Sequence, residues 1–316
     1  GMVPARRIRP GAAIGALHAV LVLGCLGMGL APSWGWFAVG AVLAGAGFGG
    51  LVVYVNTIFA RAFPKSGVLM VNVLNAVFGM GSIAGPLLIG LAGRERFQLV
   101  LAGAGLVAIP AVVVSRHGRT LEVEAEASPS GGLSVRALAG STSLVLFVLF
   151  GFLYDGLETS VGGWEATHLT WLGFSVSSAA QLSAAFWAGL TAGRLVLPVL
   201  LAKRAPPSVI TCCTGLGACA LLAAMAPPAA PYAYAAAGFA LGPVLPTAVT
   251  WLTRAAVVPQ RAGALFFTGA MSGNTLIPGL VGLLSAASRP AATPAGLGAL
   301  CVVCLVVNRV MRRAIA

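Results

Sequence analysis

Long apolar runs separated by short polar stretches make up most of the 316-residue chain. A helix needs about 20 apolar residues to cross a bilayer, and by that measure the pattern predicts ten membrane-spanning helices. The predicted spans are 11–30, 34–59, 68–91, 97–114, 138–160, 177–201, 207–226, 231–253, 262–286 and 295–310. We therefore predict an all-α, polytopic membrane protein.

Composition and charge agree with this prediction. The mean hydropathy is +0.97 and 8% of the residues are charged, whereas about 25% is usual in a soluble domain. The net charge of +12 would indicate a nucleic-acid partner in a soluble chain, but Lys and Arg collect in the cytoplasmic loops of membrane proteins. If the chain starts in the cytoplasm, every basic residue except Arg94, Arg96 and Arg289 falls on that side. We predict two cytoplasmic termini, contact with membrane lipid and no nucleic-acid partner. Seventeen Arg against two Lys, with frequent Ala, Gly and Pro, are typical of a GC-rich bacterial genome. We therefore predict a bacterial cytoplasmic membrane.

The polar segment 115–137 separates two groups of predicted helices. It holds three of the seven acidic residues and the run SPSGG, which is typical of a flexible linker. We predict a four-helix N-terminal bundle over 1–114 and a six-helix C-terminal bundle over 138–316. The triplet AGF at 46–48 recurs at 237–239, and the Gly-Ser-Pro-Gly series within 79–90 recurs within 269–282. Such repeats are common in transporters, although chance similarity between glycine-rich helices is the alternative.

Asp155 and Glu158 interrupt the apolar run of the fifth predicted helix. An acid at mid-membrane costs about 2.5–3.5 kcal/mol on insertion scales, so it is expected to face a water-filled path or a partner. At a spacing of three residues the two share one helix face. They cannot both ionise at low cost there, so at least one is expected to be protonated near neutral pH, as proton coupling requires. The alternative is that both are solvated at the outer mouth. Glu165 follows Gly162 and Gly163, and we predict that it is a solvated loop acid.

Amides and aromatic rings within the spans suit a sugar, which offers hydroxyl groups and an apolar face. The candidate substrate-binding residues are Asn56, Asn72, Asn75, Tyr154, Trp164, Gln181 and Asn274. Buried amides also link transmembrane helices to one another, which is the alternative. The glycine strings, such as those within 45–50 and 189–193, favour close helix packing over a phosphate-binding loop. Arg194 is a candidate gating residue that pairs with neighbouring helix ends. The six cysteines lie within apolar runs, so we predict no cofactor or metal site.

Segments 45–63, 71–86, 153–164, 184–195 and 238–247 carry a resemblance to a known family. They resemble the major facilitator superfamily, and within it the sugar carriers that include the L-fucose/proton symporter and bacterial glucose/galactose permeases. The resemblance implies the major facilitator fold, with twelve helices in two bundles around a cavity that opens alternately to each side. On that pattern the chain holds ten of the twelve helices, lacks the first two and is expected to be N-terminally incomplete. Asn75 stands where the family often has His, and Val52 where the fucose symporter has an acid, which leaves proton coupling to Asp155 and Glu158.

The sequence therefore favours a monomeric, proton-coupled secondary transporter of a sugar or a similar small polar solute. An efflux carrier for a lipophilic compound on the same fold is the alternative. A non-transporting remnant, a membrane sensor or an enzyme is disfavoured, because no catalytic motif and no soluble domain is visible.

Overall fold

The computed structural model describes residues 10–62, 67–93, 95–117, 141–255, 259–287 and 292–315. Within these ranges the regular secondary structure is helical throughout, in eleven helices. They are α1 (Pro10–Gly29), α2 (Trp34–Ala62), α3 (Gly67–Ala92), α4 (Phe97–His117), α5 (Thr142–Trp171), α6 (Val176–Leu200), α7 (Pro206–Ala223), α8 (Ala230–Leu241), α9 (Val244–Ala255), α10 (Pro259–Ala287) and α11 (Ala292–Ile315).

The helices correspond to the ten predicted spans. Helices α8 and α9 follow one another across Gly242 and Pro243 and together form a single span, Ala230–Ala255. Nine spans in the described part of the chain are long and apolar enough to cross a membrane. The tenth, α3, has a shorter apolar segment there, Val77–Ala92. The prediction of an all-α polytopic membrane protein is confirmed.

Helix α5 is longer than predicted. It begins at Thr142, after the N-cap residue Ser141, whose hydroxyl accepts a hydrogen bond from the Leu144 amide at 3.4 Å. It continues to Trp171 instead of ending near residue 160. Two adjacent glycines do not end it, because tertiary packing outweighs the low helix propensity of glycine. Gly162 leaves room for the indole of Trp187, and the following turns bury Leu169 in the core.

The backbone of the chain forms two compact units, each with its own internal contacts. The first unit contains α1, α2, α4 and α3 as far as Met80, and the second contains Gly81–Gly90 of α3 together with α5–α11. The division into bundles at 1–114 and 138–316 stays a prediction. In the first unit α1 packs against α2 and α4, and a side chain at Gly47 would lie 2.5 Å from the Leu21 backbone.

Helix α5 is the centre of the second unit. Helices α6, α8, α9, α10 and α11 all pack against it, and its rings Phe147, Phe150 and Tyr154 are almost fully buried. Phe186 of α6 and Phe266 of α10 complete this aromatic part of the core.

Glycines allow the helix backbones of the second unit to touch. A Cβ atom at Gly193 would collide with the Phe239 carbonyl of α8, and one at Gly273 would collide with the Phe152 carbonyl of α5. The predicted packing role is therefore confirmed at Gly47 and Gly193. It does not hold at Gly45, where nothing among the described residues lies within 4 Å of the added atom.

Candidate functional site

The two acids of α5 lie inside the second unit, near the middle of a 30-residue helix. Asp155 is 8% exposed and Glu158 is 7% exposed. Because these carboxyls are buried within a bundle of helices, the alternative of two acids solvated at an outer mouth does not describe this structure. Each keeps one buried oxygen, Oδ2 of Asp155 and Oε2 of Glu158, without a hydrogen-bond partner in the described part of the chain.

Glu158 forms an ion pair with Arg194 of α6. Nη2 of Arg194 donates to Oε1 of Glu158 at 2.7 Å, and the arginine side chain is 26% exposed while that of Glu158 is 9% exposed. Nε of Arg194 also lies 3.4 Å from the Gly242 carbonyl oxygen, a long contact at the break between α8 and α9. A Cβ atom at Gly242 would lie 2.8 Å from the Arg194 amide nitrogen, so only glycine allows this approach. The partner of Arg194 is thus an acid of the site, and its gating role stays a prediction.

Asp155 has a different environment. The neutral side chain of Asn274 on α10 lies beside its carboxyl group, and Asn274 itself is half-buried. An amide is neutral, so it compensates a carboxylate less than a guanidinium does. The site therefore holds two acids and one cation, and the cation contacts Glu158.

Tyr154, one residue before Asp155, has no exposed surface. Its hydroxyl donates to the Leu241 carbonyl at 2.5 Å, at the C-terminal end of α8, and its ring stacks on Phe150 with 5.9 Å between centroids. Both the hydroxyl and the ring are used within the core. The proposed sugar contact of Tyr154 stays a prediction, and it would require this packing to open.

Two further candidates make helix contacts in the second unit. The indole nitrogen of Trp164 donates to the Pro278 carbonyl of α10 at 2.9 Å. The Gln181 amide donates to the Ser177 hydroxyl at 3.1 Å, and that hydroxyl donates to the Gly90 carbonyl. These contacts fit the alternative role of linking helices. Their substrate-binding roles stay predictions.

The remaining amide candidates are on α2 and α3. Asn56, Asn72 and Asn75 belong to these helices by backbone, but their side chains lie outside the described residues. Their part in a substrate site stays a prediction.

Glu165 was predicted to be a solvated loop acid, and this is wrong. It lies on α5 with no exposed surface, and His168 on the same face is also fully buried. Helix α8 packs against α5 and contributes Tyr234, whose hydroxyl is 3.1 Å from His168 Nδ1. The sequence does contain a signal for Glu165. It follows Glu158 by seven residues, and two helical turns place both side chains on one face.

Comparison with known proteins gives a family and a fold. A family model described as the Major Facilitator Superfamily matches residues 5–278. The nucleoside transporter NupG, as a D323A mutant, superimposes with a TM-score of 0.78 at 13% identity over 97% of this chain and 84% of its own. The bacterial homologue of the human lysosomal transporter Spinster, inward-facing and unoccupied, gives 0.76 at 17% identity over 98% and 84%. The E. coli fucose:proton symporter FucP gives 0.63 at 18% identity over 96% and 84%. A sequence search of curated proteins finds no match.

Proposed function

The chain belongs to the major facilitator superfamily, and from this premise we propose that it carries a sugar or a similar small polar solute across the membrane together with a proton. Proteins of this family are membrane transporters and not enzymes. Among the structures of the same fold are a fucose:proton symporter and a nucleoside transporter, whose names support small polar solutes as the class. A bacterial cytoplasmic membrane, cytoplasmic termini and a monomeric state belong to the same proposal.

The observation that supports proton coupling is the unequal pairing of the two acids. Arg194 neutralises Glu158 at 2.7 Å, whereas Asp155 has the neutral Asn274 amide as its neighbour and a buried oxygen without a hydrogen-bond partner among the described residues. If both acids are ionised, the cluster carries one uncompensated negative charge in a medium of low dielectric constant. One proton on Asp155 removes that charge. We therefore assign the coupling proton to Asp155 and the role of its charge partner to the Glu158–Arg194 pair.

This assignment gives the proton a structural effect. When Asp155 loses its proton, the second carboxylate attracts Arg194, whose side chain is partly exposed and whose Nε contact at 3.4 Å is weak. Movement of Arg194 changes its contact with Gly242, at the break between α8 and α9. Protonation of Asp155 would thus alter the break between α8 and α9. Transporters use helix breaks of this type in gating.

The solute is assigned to the same region through Asn274. Its amide is half-buried and lies beside Asp155, so a sugar hydroxyl held by this amide would be next to the acid and would connect solute binding to its protonation. Amides suit this task because they donate and accept hydrogen bonds at once.

The test uses the full chain in proteoliposomes and compares two transport modes. We expect Asp155→Asn to abolish accumulation of the solute driven by a pH gradient, because the asparagine amide does not ionise and so cannot bind and release the coupling proton, while solute exchange at equal pH continues. Glu158→Gln should impair both modes, because it leaves Arg194 without its carboxylate. Glu95→Gln, at an exposed acid outside the helices, is the matched control and should leave both unchanged. Accumulation by Asp155→Asn at the wild-type level would refute the assignment.

A second candidate function, export of a lipophilic compound, is supported by the helix contacts of three candidate substrate-binding residues. Tyr154, Trp164 and Gln181 all use their polar atoms in helix contacts, which leaves fewer groups for a sugar. Export of a lipophilic compound in exchange for protons needs fewer polar contacts. A lipophilic cation that leaves proteoliposomes as protons enter, with no proton movement caused by sugars, would support this alternative.

A further inference from the structure

A second group of buried polar side chains lies nearer the C-terminal end of α5. Glu165 and His168 have no exposed surface, and both Glu165 oxygens and Nε2 of His168 lack a hydrogen-bond partner among the described residues. Tyr234 of α8 is 1% exposed, and its hydroxyl lies 3.1 Å from Nδ1 of His168. The transport mechanism given above uses none of the three.

We propose that Glu165, His168 and Tyr234 form a second proton-binding site, in which one exchangeable proton is shared between the carboxyl of Glu165 and the imidazole of His168. The ligand of the site is a proton. The site goes beyond the coupling role of Asp155 and does not depend on it.

The number of protons follows from the cost of buried charge. The pair is neutral overall when one proton lies between its two groups, either as a carboxylic acid beside a neutral imidazole or as a carboxylate beside an imidazolium. Removing that proton leaves an uncompensated carboxylate, and adding another leaves an uncompensated imidazolium. Both extremes bury an unpaired charge, which is expensive in an apolar interior. The site therefore holds one proton over a wide range of pH.

The geometry allows the proton to move between the two groups. Glu165 and His168 are three residues apart on one helix, so their side chains are neighbours. In this structure both carboxyl oxygens of Glu165 and Nε2 of His168 lack a hydrogen-bond partner among the described residues. This favours a proton on Glu165, because burying an unpaired neutral acid costs less free energy than burying an unpaired carboxylate. A side-chain rotation that joins the carboxyl to Nε2 breaks the O–H bond and forms an N–H bond. The electron pair left on oxygen makes the carboxylate, and the imidazole becomes the cation.

Tyr234 can form a hydrogen bond with both the neutral and the protonated imidazole of His168. Its hydroxyl can donate to Nδ1 of His168 or accept from it, because a phenol does both. When it accepts, Nε2 is the free acceptor that a protonated Glu165 requires. When Nε2 is also protonated, the same contact to the tyrosine oxygen stabilises the imidazolium. The two rings meet edge to face with 5.9 Å between centroids, which holds the imidazole in place.

The described parts of the helices that pack against α5 contain few other ionisable groups. Helix α6 has none before Arg194, α10 has none within 262–285, and α11 has none before Cys301. On α8 the other tyrosine, Tyr232, is 79% exposed, and on α9 the ionisable residue is Arg254, an exposed arginine in the last turn.

The pair is also distant from the central acids. Glu165 follows Glu158 by seven residues, or about 10 Å along the helix axis, and the fully buried Val161 lies on the turn between them. Arg194 is already paired with Glu158. The proton of the second site is therefore bound separately from the proton assigned to Asp155.

Infrared spectroscopy of the purified full chain in detergent at neutral pH tests the site, because a protonated carboxyl has a C=O stretching band that a carboxylate lacks. We expect a band that disappears in Glu165→Gln, remains in Asp155→Asn and moves to another frequency in His168→Gln and in Tyr234→Phe. Exchange into D2O should shift it. If wild type lacks the band but His168→Gln shows it, the proton resides on His168, which also supports the shared site.

Two results would overturn the proposal. Absence of a Glu165 band in both wild type and His168→Gln would mean that the acid is ionised without its partner. A Glu165 band whose frequency is the same in His168→Gln and Tyr234→Phe would mean that the carboxyl holds its proton alone. If Glu165→Gln does not fold, 13C labelling of glutamate carboxyls in Glu158→Gln assigns the band instead. None of these results depends on a transport assay, so the site and the transport mechanism can fail separately.

Discussion

Arg194 sets the charge balance of the candidate site, because one cation lies beside two acids. Its guanidinium contacts Glu158 at 2.7 Å, and the neutral Asn274 amide lies beside Asp155. A buried ion pair contributes little net stability, but removing one partner is costly, since the other charge remains in the interior. The two halves of this pair are buried to different extents, so their removal should have different costs.

We expect Arg194→Gln to destabilise the protein more than Glu158→Gln does. The first variant leaves a carboxylate that is almost fully buried, while the second leaves an arginine whose side chain is 26% exposed. Both losses should stay below the roughly 3–5 kcal/mol of a completely buried pair, and the double variant should lose less than the sum of the two. Thermal unfolding in detergent measures all four proteins.

Equal losses of stability for the two single variants would contradict this explanation.

At the same scale, the sequence identified two unusual acids of the candidate site, but it did not predict the contact between Glu158 and Arg194. Asp155 and Glu158 are identifiable because a carboxylate in an apolar run needs a special environment. The Glu158–Arg194 contact joins residues 36 positions apart and depends on how α5 and α6 pack, which the local pattern does not contain. Glu165 was misassigned because its glycine neighbours suggested a loop.

At the scale of helices, close backbone contacts define how α5 and its neighbours meet. The Phe152 carbonyl of α5 occupies the space that a side chain at Gly273 of α10 would need. Similar contacts join α6 and α8, where Gly193 lies against the Phe239 carbonyl. Small residues of this kind are typical of interfaces between transmembrane helices, because packing replaces the hydrophobic effect there.

We expect Gly273→Ala to lower the thermal stability of the protein in detergent, because the added methyl group would force α10 away from α5. The matched control is Gly279→Ala on the same helix, where nothing among the described residues lies within 4 Å of the added atom. That control should be neutral or slightly stabilising, since alanine favours a helix by up to about 1 kcal/mol over glycine. Equal effects of the two substitutions would show that the α5–α10 contact is not close.

Helix number and order were predictable from the sequence, and helix ends were less so. Apolar length alone gives the ten spans, because no other backbone arrangement satisfies its hydrogen bonds in lipid as simply as a helix. The continuation of α5 through Gly162 and Gly163 was not predicted. It depends on Trp187 of α6, which packs over Gly162, and such contacts outweigh local propensity.

At the scale of the whole molecule, the distribution of charge predicts which side of the membrane each terminus occupies. The chain is a multi-pass membrane protein of the major facilitator superfamily, and nineteen Lys and Arg residues are placed very unequally by the ten spans. Basic residues stay on the cytoplasmic side. Both termini are therefore expected in the cytoplasm.

A fusion at the C-terminus checks this topology in bacterial cells. Alkaline phosphatase attached after Ala316 should be inactive, because it folds only outside the cytoplasm, while a green fluorescent protein fusion at the same place should fluoresce. Active phosphatase together with a dark fluorescent fusion would reverse the topology and the sidedness of the proposed proton movement.

The most direct test of the transport mechanism records protons themselves. Proteoliposomes that contain the full chain and a pH-sensitive dye are exposed to single sugars without an initial pH gradient, and the internal pH is recorded together with sugar uptake. We predict acidification of the interior with at least one transported sugar, and its loss in Asp155→Asn while uptake of that sugar down its gradient continues. Sugar uptake without acidification, or acidification of wild-type size in Asp155→Asn, would contradict the claim that Asp155 carries the coupling proton.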